Sequence, residues 1–385
     1  MKRYLTEALS RDVQQKAVLL TGPRQVGKST LAQSLFKKNI AYYNWDIRYD
    51  QQTIRQMGWP KDASLVVLDE LHKFHKWKNY LKGIIDAFHN RPPLLITGSA
   101  RLDIMRKGGD ALTGRTFLYR LHPIDIKEAL ESNAVATEEA ALVRLLQAGG
   151  FPEAFLHPHN AARLLNDRLD FVVREDLRDL SRTSHLRAIA LLVELLRERV
   201  GSPVSFANLA QDLSVAPATI SSWVELLEKL FIVFRVSPYS THFNRANRKE
   251  PKFYFYDCAA PYDEGGARLE NLVACALKKA CDYQADAFGD KYALAYFRDR
   301  DGREVDFILT QNRKMKFCME VKTSDAALSK HLVYVAERAK PEQAFQLVRA
   351  LPRTREIGPV KIVRLETWLR KIDCLFARAP KSQTF

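Results

Sequence analysis

Along the first third of the chain, short apolar runs alternate with longer stretches of helical periodicity. Ala17–Leu20, Ile40–Trp45, Leu65–Leu68, Leu94–Thr97 and Thr116–Leu121 read as strands, and Lys28–Phe36 opens a helix. These strands are β-branched or leucine-rich without alternation, as expected where helices cover both faces of a sheet. The pattern predicts an α/β domain with a parallel core. From about Ile126 the periodicity turns helical, with stretches near 137–148, 160–180 and 187–199.

Residues 185–240 read as a winged helix. Ser205 can cap a short helix (FANLAQDL), SVAP turns the chain, and a second helix runs from about Ala218 to Leu230. The apolar FIVFRV that follows suits a wing strand. The tract from Pro238 to Lys252 is polar and basic (His242, Arg245, Arg248, Lys249, Lys252) and reads as a long loop or linker. From residue 253 the pattern returns to mixed α/β. KFYFYD is a strand, LENLVACALKKA a helix, and 292–297, 303–309 and 315–321 are strands, followed by a further helix and strand.

A chain of 385 residues exceeds one compact core, and its length suggests roughly two to four domains. No run approaches the roughly eighteen apolar residues of a membrane span. The start, MKRYLTEALSRD, has no apolar stretch behind its charges and does not read as a signal peptide. Cys258, Cys275, Cys281, Cys318 and Cys374 contain no C-x-x-C pair and read as small apolar residues in a reducing compartment, which points to the cytoplasm. The net charge of +15 changes the picture more. A surplus of that size attracts polyanions, and with nothing resembling an amphipathic membrane anchor, DNA is the favoured partner over an anionic membrane.

Between the first strand and the first helix lies Gly22-Pro23-Arg24-Gln25-Val26-Gly27-Lys28-Ser29, followed by Thr30, the pattern of a P-loop. Its glycines let backbone N–H groups turn inward around a β-phosphate, and the helix N-terminus adds its dipole. Lys28 is placed to reach the β- and γ-phosphates of ATP, and the Ser29 hydroxyl to bind Mg2+. The third strand ends in two acids: Asp69 for the Mg2+ shell and Glu70 to orient and deprotonate the attacking water. The fourth ends in Gly98-Ser99-Ala100-Arg101, where Ser99 is the candidate γ-phosphate sensor. Arg115, and secondarily Arg101 or Arg120, is the candidate arginine finger. An arginine acting in trans requires a neighbouring copy, so a homo-oligomer is a further candidate. His72 and His75 lack a third ligand nearby and read as a solvated helix face.

A second constellation lies near the C-terminus. Glu270 starts the helix LENLVACAL, Asp306 lies in REVDFIL, and Glu320 and Lys322 lie in CMEVK. On adjacent strands Asp306 and Glu320 point the same way and could bind one Mg2+. Lys322, two residues from Glu320, shares its face and could orient a water or stabilise a phosphorane. An edge-strand charge pair is the alternative for Glu320 and Lys322.

With these residues assembled, the chain from near residue 1 to about 325 resembles the prokaryotic AAA-type ATPases that carry a C-terminal domain of unknown function related to PD-(D/E)xK nucleases. The resemblance rests on GPRQVGKST, VVLDELHK, LLITGSARL, LTGRTFLYRLHPIDIKE, GGFPEA, VREDL, LFIVFRVSPY, KFYFYD, and REVDFIL with MEVK. It implies a P-loop ATPase core over 1–130, a helical lid over 131–184, a winged helix over 185–240 and a restriction-endonuclease-like α/β domain over 241–385. By matching position, Lys28, Ser29, Asp69 and Glu70 are the ATPase residues, and Glu270, Asp306, Glu320 and Lys322 match the nuclease motif. SAR replaces the more usual run of serines after the fourth strand, which bears on Ser99.

Three functions follow as expectations. In one, ATP turnover drives DNA processing and the C-terminal site cuts with Mg2+, while Thr219, Ser221, Ser222, Arg235 and the 245–252 cluster meet the DNA backbone. In the other, the protein is a nucleotide-controlled switch whose nuclease-like domain recognises DNA or protein with little activity. Protein remodelling is a third, with the basic charge incidental.

Overall fold

The computed structural model describes residues 1–98, 112–172, 185–240, 250–263, 265–324 and 327–376. The chain divides into two compact units, one of residues 1–123 with 229–231 and 286–288, the other of the remainder.

The first unit follows the predicted alternation. Its elements are α1 (Thr6–Asp12), β1 (Ala17–Thr21), α2 (Lys28–Ser34), β2 (Ile40–Asn44), α3 (Arg48–Gln56), β3 (Leu65–Asp69), α4 (Trp77–Phe88), β4 (Leu94–Thr97) and β5 (Thr116–Arg120). The five strands form one sheet in the order β2-β3-β4-β1-β5, and every pairing is parallel. Every residue of β1, β3 and β4 is buried, which is why these strands carry no alternation; edge strand β2 is half-buried throughout. Trp77, Leu81, Ile84 and Ile85 of α4 form a stripe at helical spacing and pack with Ile54 of α3 against Leu19, Val66, Leu68 and Ile96. Since β4 lies between β1 and β3, the loop after β1 and the acids ending β3 face a common edge across Thr97.

The second unit begins with helices α5 (Ile126–Glu131), α6 (Glu138–Ala148), α7 (Pro152–Leu156), α8 (Ala161–Phe171) and α9 (Leu186–Glu198). The helix predicted near 160–180 is seen to residue 171, and VREDL lies outside the described residues. Next come α10 (Phe206–Asp212), α11 (Pro217–Lys229) and the strands β6 (Val233–Pro238) and β7 (Lys252–Phe255). The Ser205 side chain accepts from the Asn208 N–H, the expected cap of α10. Then follow α12 (Gly266–Phe288), β8 (Tyr292–Arg298), β9 (Glu304–Gln311), β10 (Lys314–Lys322), α13 (Lys330–Ala339), β11 (Gln343–Val348), β12 (Arg355–Ile357), β13 (Val360–Arg364) and α14 (Leu365–Arg370).

Eight strands form one mixed sheet in the order β12-β13-β11-β10-β9-β8-β6-β7. FIVFRV does form a hairpin strand, antiparallel to β7, and through Ser237 and Pro238 it also joins β8. Arg235 pairs with Glu228 at 3.1 Å, its guanidinium near the rings of Phe206 and Phe253. Residues 241–249 of the basic tract lie outside the described residues. Lys252 does not belong to a surface cluster: it opens β7 and its side chain is fully buried. No helix among the described residues is long and apolar enough to cross a membrane.

Candidate functional site

The loop after β1 takes backbone shapes that its residue types permit. Gly22 has φ +144, and a Cβ there would overlap the carbonyl oxygen of Leu121. Gly27 has φ +93 and turns the chain into α2. Gln25 and Thr30 are exposed, Pro23 and Val26 buried, and Arg24 half-buried. Lys28, the first residue of α2, is buried; its ammonium donates to the carbonyls of Gly22 (3.0 Å) and Pro23 (2.7 Å). From beneath, the buried Arg3 donates to the carbonyls of Val26 (2.8 Å) and His122 (2.5 Å), fixing the loop to the end of β5. Nothing in the local sequence distinguished Arg3, because its partners are backbone atoms far along the chain.

Asp69 ends β3 and gathers donors from three other elements. The Ser29 hydroxyl donates to its Oδ2 at 2.7 Å, the Tyr42 hydroxyl of β2 donates to the same oxygen, and the Thr97 hydroxyl of β4 donates to Oδ1. The register that sets Asp69 beside Asn44 and Thr97 brings these groups together. Burial and the Asp69 carboxylate push the Tyr42 phenol up, so it stays a protonated donor.

Glu70 turns off the strand with φ +56. Burial raises its carboxyl above the ordinary glutamate value, and Lys73 opposes the rise. His72 Nε2 and Lys73 Nζ stand 3.6 and 3.7 Å from Glu70 Oε2, which accepts no hydrogen bond from the described residues. His72 is therefore not on a solvated face: the turn after β3 buries it beside Glu70, whereas His75 is exposed as expected. Ser99 and Arg101 lie outside the described residues. Arg115 forms a two-pronged, exposed pair with Asp86 of α4, at 2.7 and 3.2 Å, rather than turning to the loop.

The second constellation comes together inside the second unit. Asp306 on β9 and Glu320 on β10 lie on neighbouring antiparallel strands, and Glu270 lies in the second turn of α12 rather than at its start. Lys322 Nζ donates to Glu320 Oε1 at 2.8 Å, and the Val321 N–H donates to Asp306 Oδ2 at 2.8 Å. Three participants were not foreseen. Lys252 Nζ lies 2.7 Å from Glu304, 3.3 Å from Glu270 and 4.0 Å from Asp306. Tyr254, on the same strand face, donates to Glu270 Oε1 at 2.6 Å. Among the described residues, no three His, Cys, Asp or Glu side chains gather as a metal-holding group. Glu320 and Glu270 accept from Lys322 and Lys252, and Asp306 accepts from a backbone N–H.

Burial and the neighbouring Asp306 push both Glu270 and Glu320 up to about 7, against the opposing pull of Lys252 and Lys322. Burial works to lower the Lys252 ammonium, but Glu270, Asp306 and Glu304 outweigh it and hold the group charged. A carboxyl raised above its unfolded value binds more proton in the folded state, so its stabilising share is lost as pH rises toward 7. Glu320→Gln is therefore expected to gain thermal stability relative to wild type as pH is raised from 5 to 8. Melting curves across that range check this; a difference independent of pH would show that Glu320 does not titrate there.

Three family profiles match the chain. One described as an AAA domain covers residues 14–130. Two described as domains of unknown function, DUF8612 and DUF4143, cover residues 139–260 and 265–366. The uncharacterized protein Rv2008c of Mycobacterium tuberculosis is 26% identical over 246 residues, 62% of this chain and 54% of its own. The chain thus spans about half the length of its mycobacterial relatives. The uncharacterized protein MJ1637 of Methanocaldococcus jannaschii is 23% identical over 407 residues, 90% of this chain and 83% of its own. Among solved structures, a RuvB variant of Thermotoga maritima is 19% identical with a TM-score of 0.32, covering 60% of this chain and 87% of that one, a superposition too slight to add weight. With a P-loop on β1, an acid pair ending β3 and a profile match across both, residues 14–130 constitute an AAA-type P-loop domain.

Proposed function

We propose that this protein hydrolyses ATP with Mg2+ at the β1–β3 site and uses the turnover to control how the rest of the chain engages DNA. The observation that carries the ATPase reading is the 2.7 Å hydrogen bond between Ser29 and Asp69, with Glu70 adjoining. A hydroxyl and a carboxylate already in contact are the hard oxygen donors that Mg2+ takes alongside phosphate oxygens. Mg2+ would neutralise charge developing on the phosphates. Lys28, now bonded to loop carbonyls, would turn to the β- and γ-phosphates, and Glu70 would accept a proton from water.

DNA is favoured by the +15 net charge. We read α9–α11 with β6 and β7 as a winged helix, offering half-exposed Thr219 and Ser221 and exposed Ser222 on α11. The sheet around β8–β11 with α12 is read as the nuclease-like part. For that part, recognition is favoured over Mg2+-dependent cleavage because Lys252 sits among the acids that a metal would use. Assembly into a homo-oligomer, with Arg115 acting in trans, would require the Asp86 pair to open.

Fluorescence anisotropy with labelled duplex and single-stranded DNA tests this reading. Binding is expected at low salt, weakening steeply as salt rises. Affinity is expected to differ between ADP and a non-hydrolysable ATP analogue, without cleavage. Absence of binding at low salt would remove the DNA reading and favour protein remodelling. Identical affinity in both nucleotide states would remove the control.

A further inference from the structure

The acidic cluster of the C-terminal sheet already contains a cation. Lys252 is fully buried at the start of β7, with its ammonium nearest Glu304 and within reach of Glu270 and Asp306. Its backbone is pinned as well: residue 252 bridges to Pro203, and the Val204 N–H donates to the neighbouring Pro251 carbonyl at 2.8 Å.

One carboxylate oxygen of each of Glu270, Asp306 and Glu320 is committed. Glu270 Oε1 accepts from Tyr254 and Lys252, and its Oε2 faces the backbone of Gly201. Gly201 has φ +78, and a Cβ there would stand 2.8 Å from Oε2, so the turn at 201 closes over Glu270. Asp306 Oδ2 takes the Val321 N–H and Glu320 Oε1 takes Lys322. Glu320 Oε2 is buried and accepts no hydrogen bond from the described residues. Magnesium demands near-octahedral oxygen ligation and keeps much of its own water. This cluster offers it at most one uncommitted oxygen from each acid, with a buried positive charge alongside.

We propose that Lys252 is the resident cation of this site, standing in for the divalent metal that the sequence pattern implies. The acids are then organised by an ammonium, and the domain folds and acts without metal. This rests on reading the C-terminal part as a nuclease-like recognition module. A lysine point charge holds several carboxylates together through short, hydrogen-bonded contacts, as an ion would. Unlike a metal, it provides no open coordination position for a water or a phosphate oxygen.

The test is Mn2+ titration of the nucleotide-free full-length chain, with free Mn2+ read by electron paramagnetic resonance. Wild type is expected to show no site tighter than about 1 mM, apart from any removed by Asp69→Asn. Lys252→Met is expected to gain one site at least about tenfold tighter, lost again when Glu320→Gln is added. A tight wild-type site abolished by Glu320→Gln would overturn the proposal. So would a folded Lys252→Met that binds no better than wild type. Because removing a buried cation can unfold the domain, melting with and without Mn2+ supplies a second readout. Stabilisation of the variant but not of wild type counts for the proposal; stabilisation of neither counts against it. Wild-type DNA binding in a chelator separately tests the recognition reading, whose failure would leave the metal result standing.

Discussion

Glu70→Gln is expected to keep ATP bound while slowing its hydrolysis by on the order of a hundredfold or more, the usual contribution of a positioned proton acceptor. The amide matches the carboxylate in shape, so the left-handed turn at residue 70 and the Asp69 contacts have no reason to change. Only the ability to take a proton from water is lost. Lys28→Ala should behave differently, weakening nucleotide affinity itself, because on the proposed reading its ammonium turns to the phosphates. Phosphate release measured beside the affinity for a fluorescent ATP analogue separates the two. Wild-type turnover in Glu70→Gln would remove Glu70 from the chemistry. The wild-type rate should also fall on acidification at a pH above the ordinary carboxylate range. Burial raises the Glu70 carboxyl, and its proton-accepting form disappears as pH drops through that raised value.

Arg168→Ala is expected to destabilise the second unit by about 3–5 kcal/mol, the cost of leaving a buried charge without its partner. The Arg168 guanidinium donates to Asp257, is buried with it, and lies 3.5 Å from the centroid of the Phe151 ring. Gly149 has φ +78, and a Cβ there would overlap the Asp257 carboxylate. The GGFPEA segment is thus shaped around this pair: a glycine for room and a phenylalanine for the cation's face. Replacing both charged residues, as in Arg168→Met with Asp257→Leu, should recover much of the loss. Denaturant unfolding of the three proteins checks this. A loss under about 1 kcal/mol for the single variant would put the pair among surface-like ion pairs.

Much of the first unit was legible because its physics is local. Leu65–Leu68 must be hidden on both faces to be so uniformly apolar, and the glycines of 22–27 have few other uses between a strand and a helix. The roles of Tyr42, Thr97 and Arg3 were not legible, since each depends on strand register or on a carbonyl far away. Lys252 was misread for the same reason. In a basic tract it looks like one more solvated charge, and only Glu270 and Glu304, 18 and 52 positions further along the sequence, make its burial tolerable. Asp306, Glu320 and Lys322 were legible as a group because adjacent strands fix their common face, but the direction of their oxygens was not.

The interior position of β1 carries a consequence for synthesis of the chain. Its neighbours are β4 and β5, so residues 17–21 wait for residues 94–97 and 116–120 before either side is paired. Arg3 waits still longer, for the carbonyl of His122. Parallel pairings of such sequence separation form late, after most of the loop-closure entropy has been lost. On a ribosome, the phosphate loop is therefore made early and assembled late. A nascent chain ending before β5 already holds the phosphate loop and the β3 acids, with β1 still an open edge exposed to chaperones and to other chains.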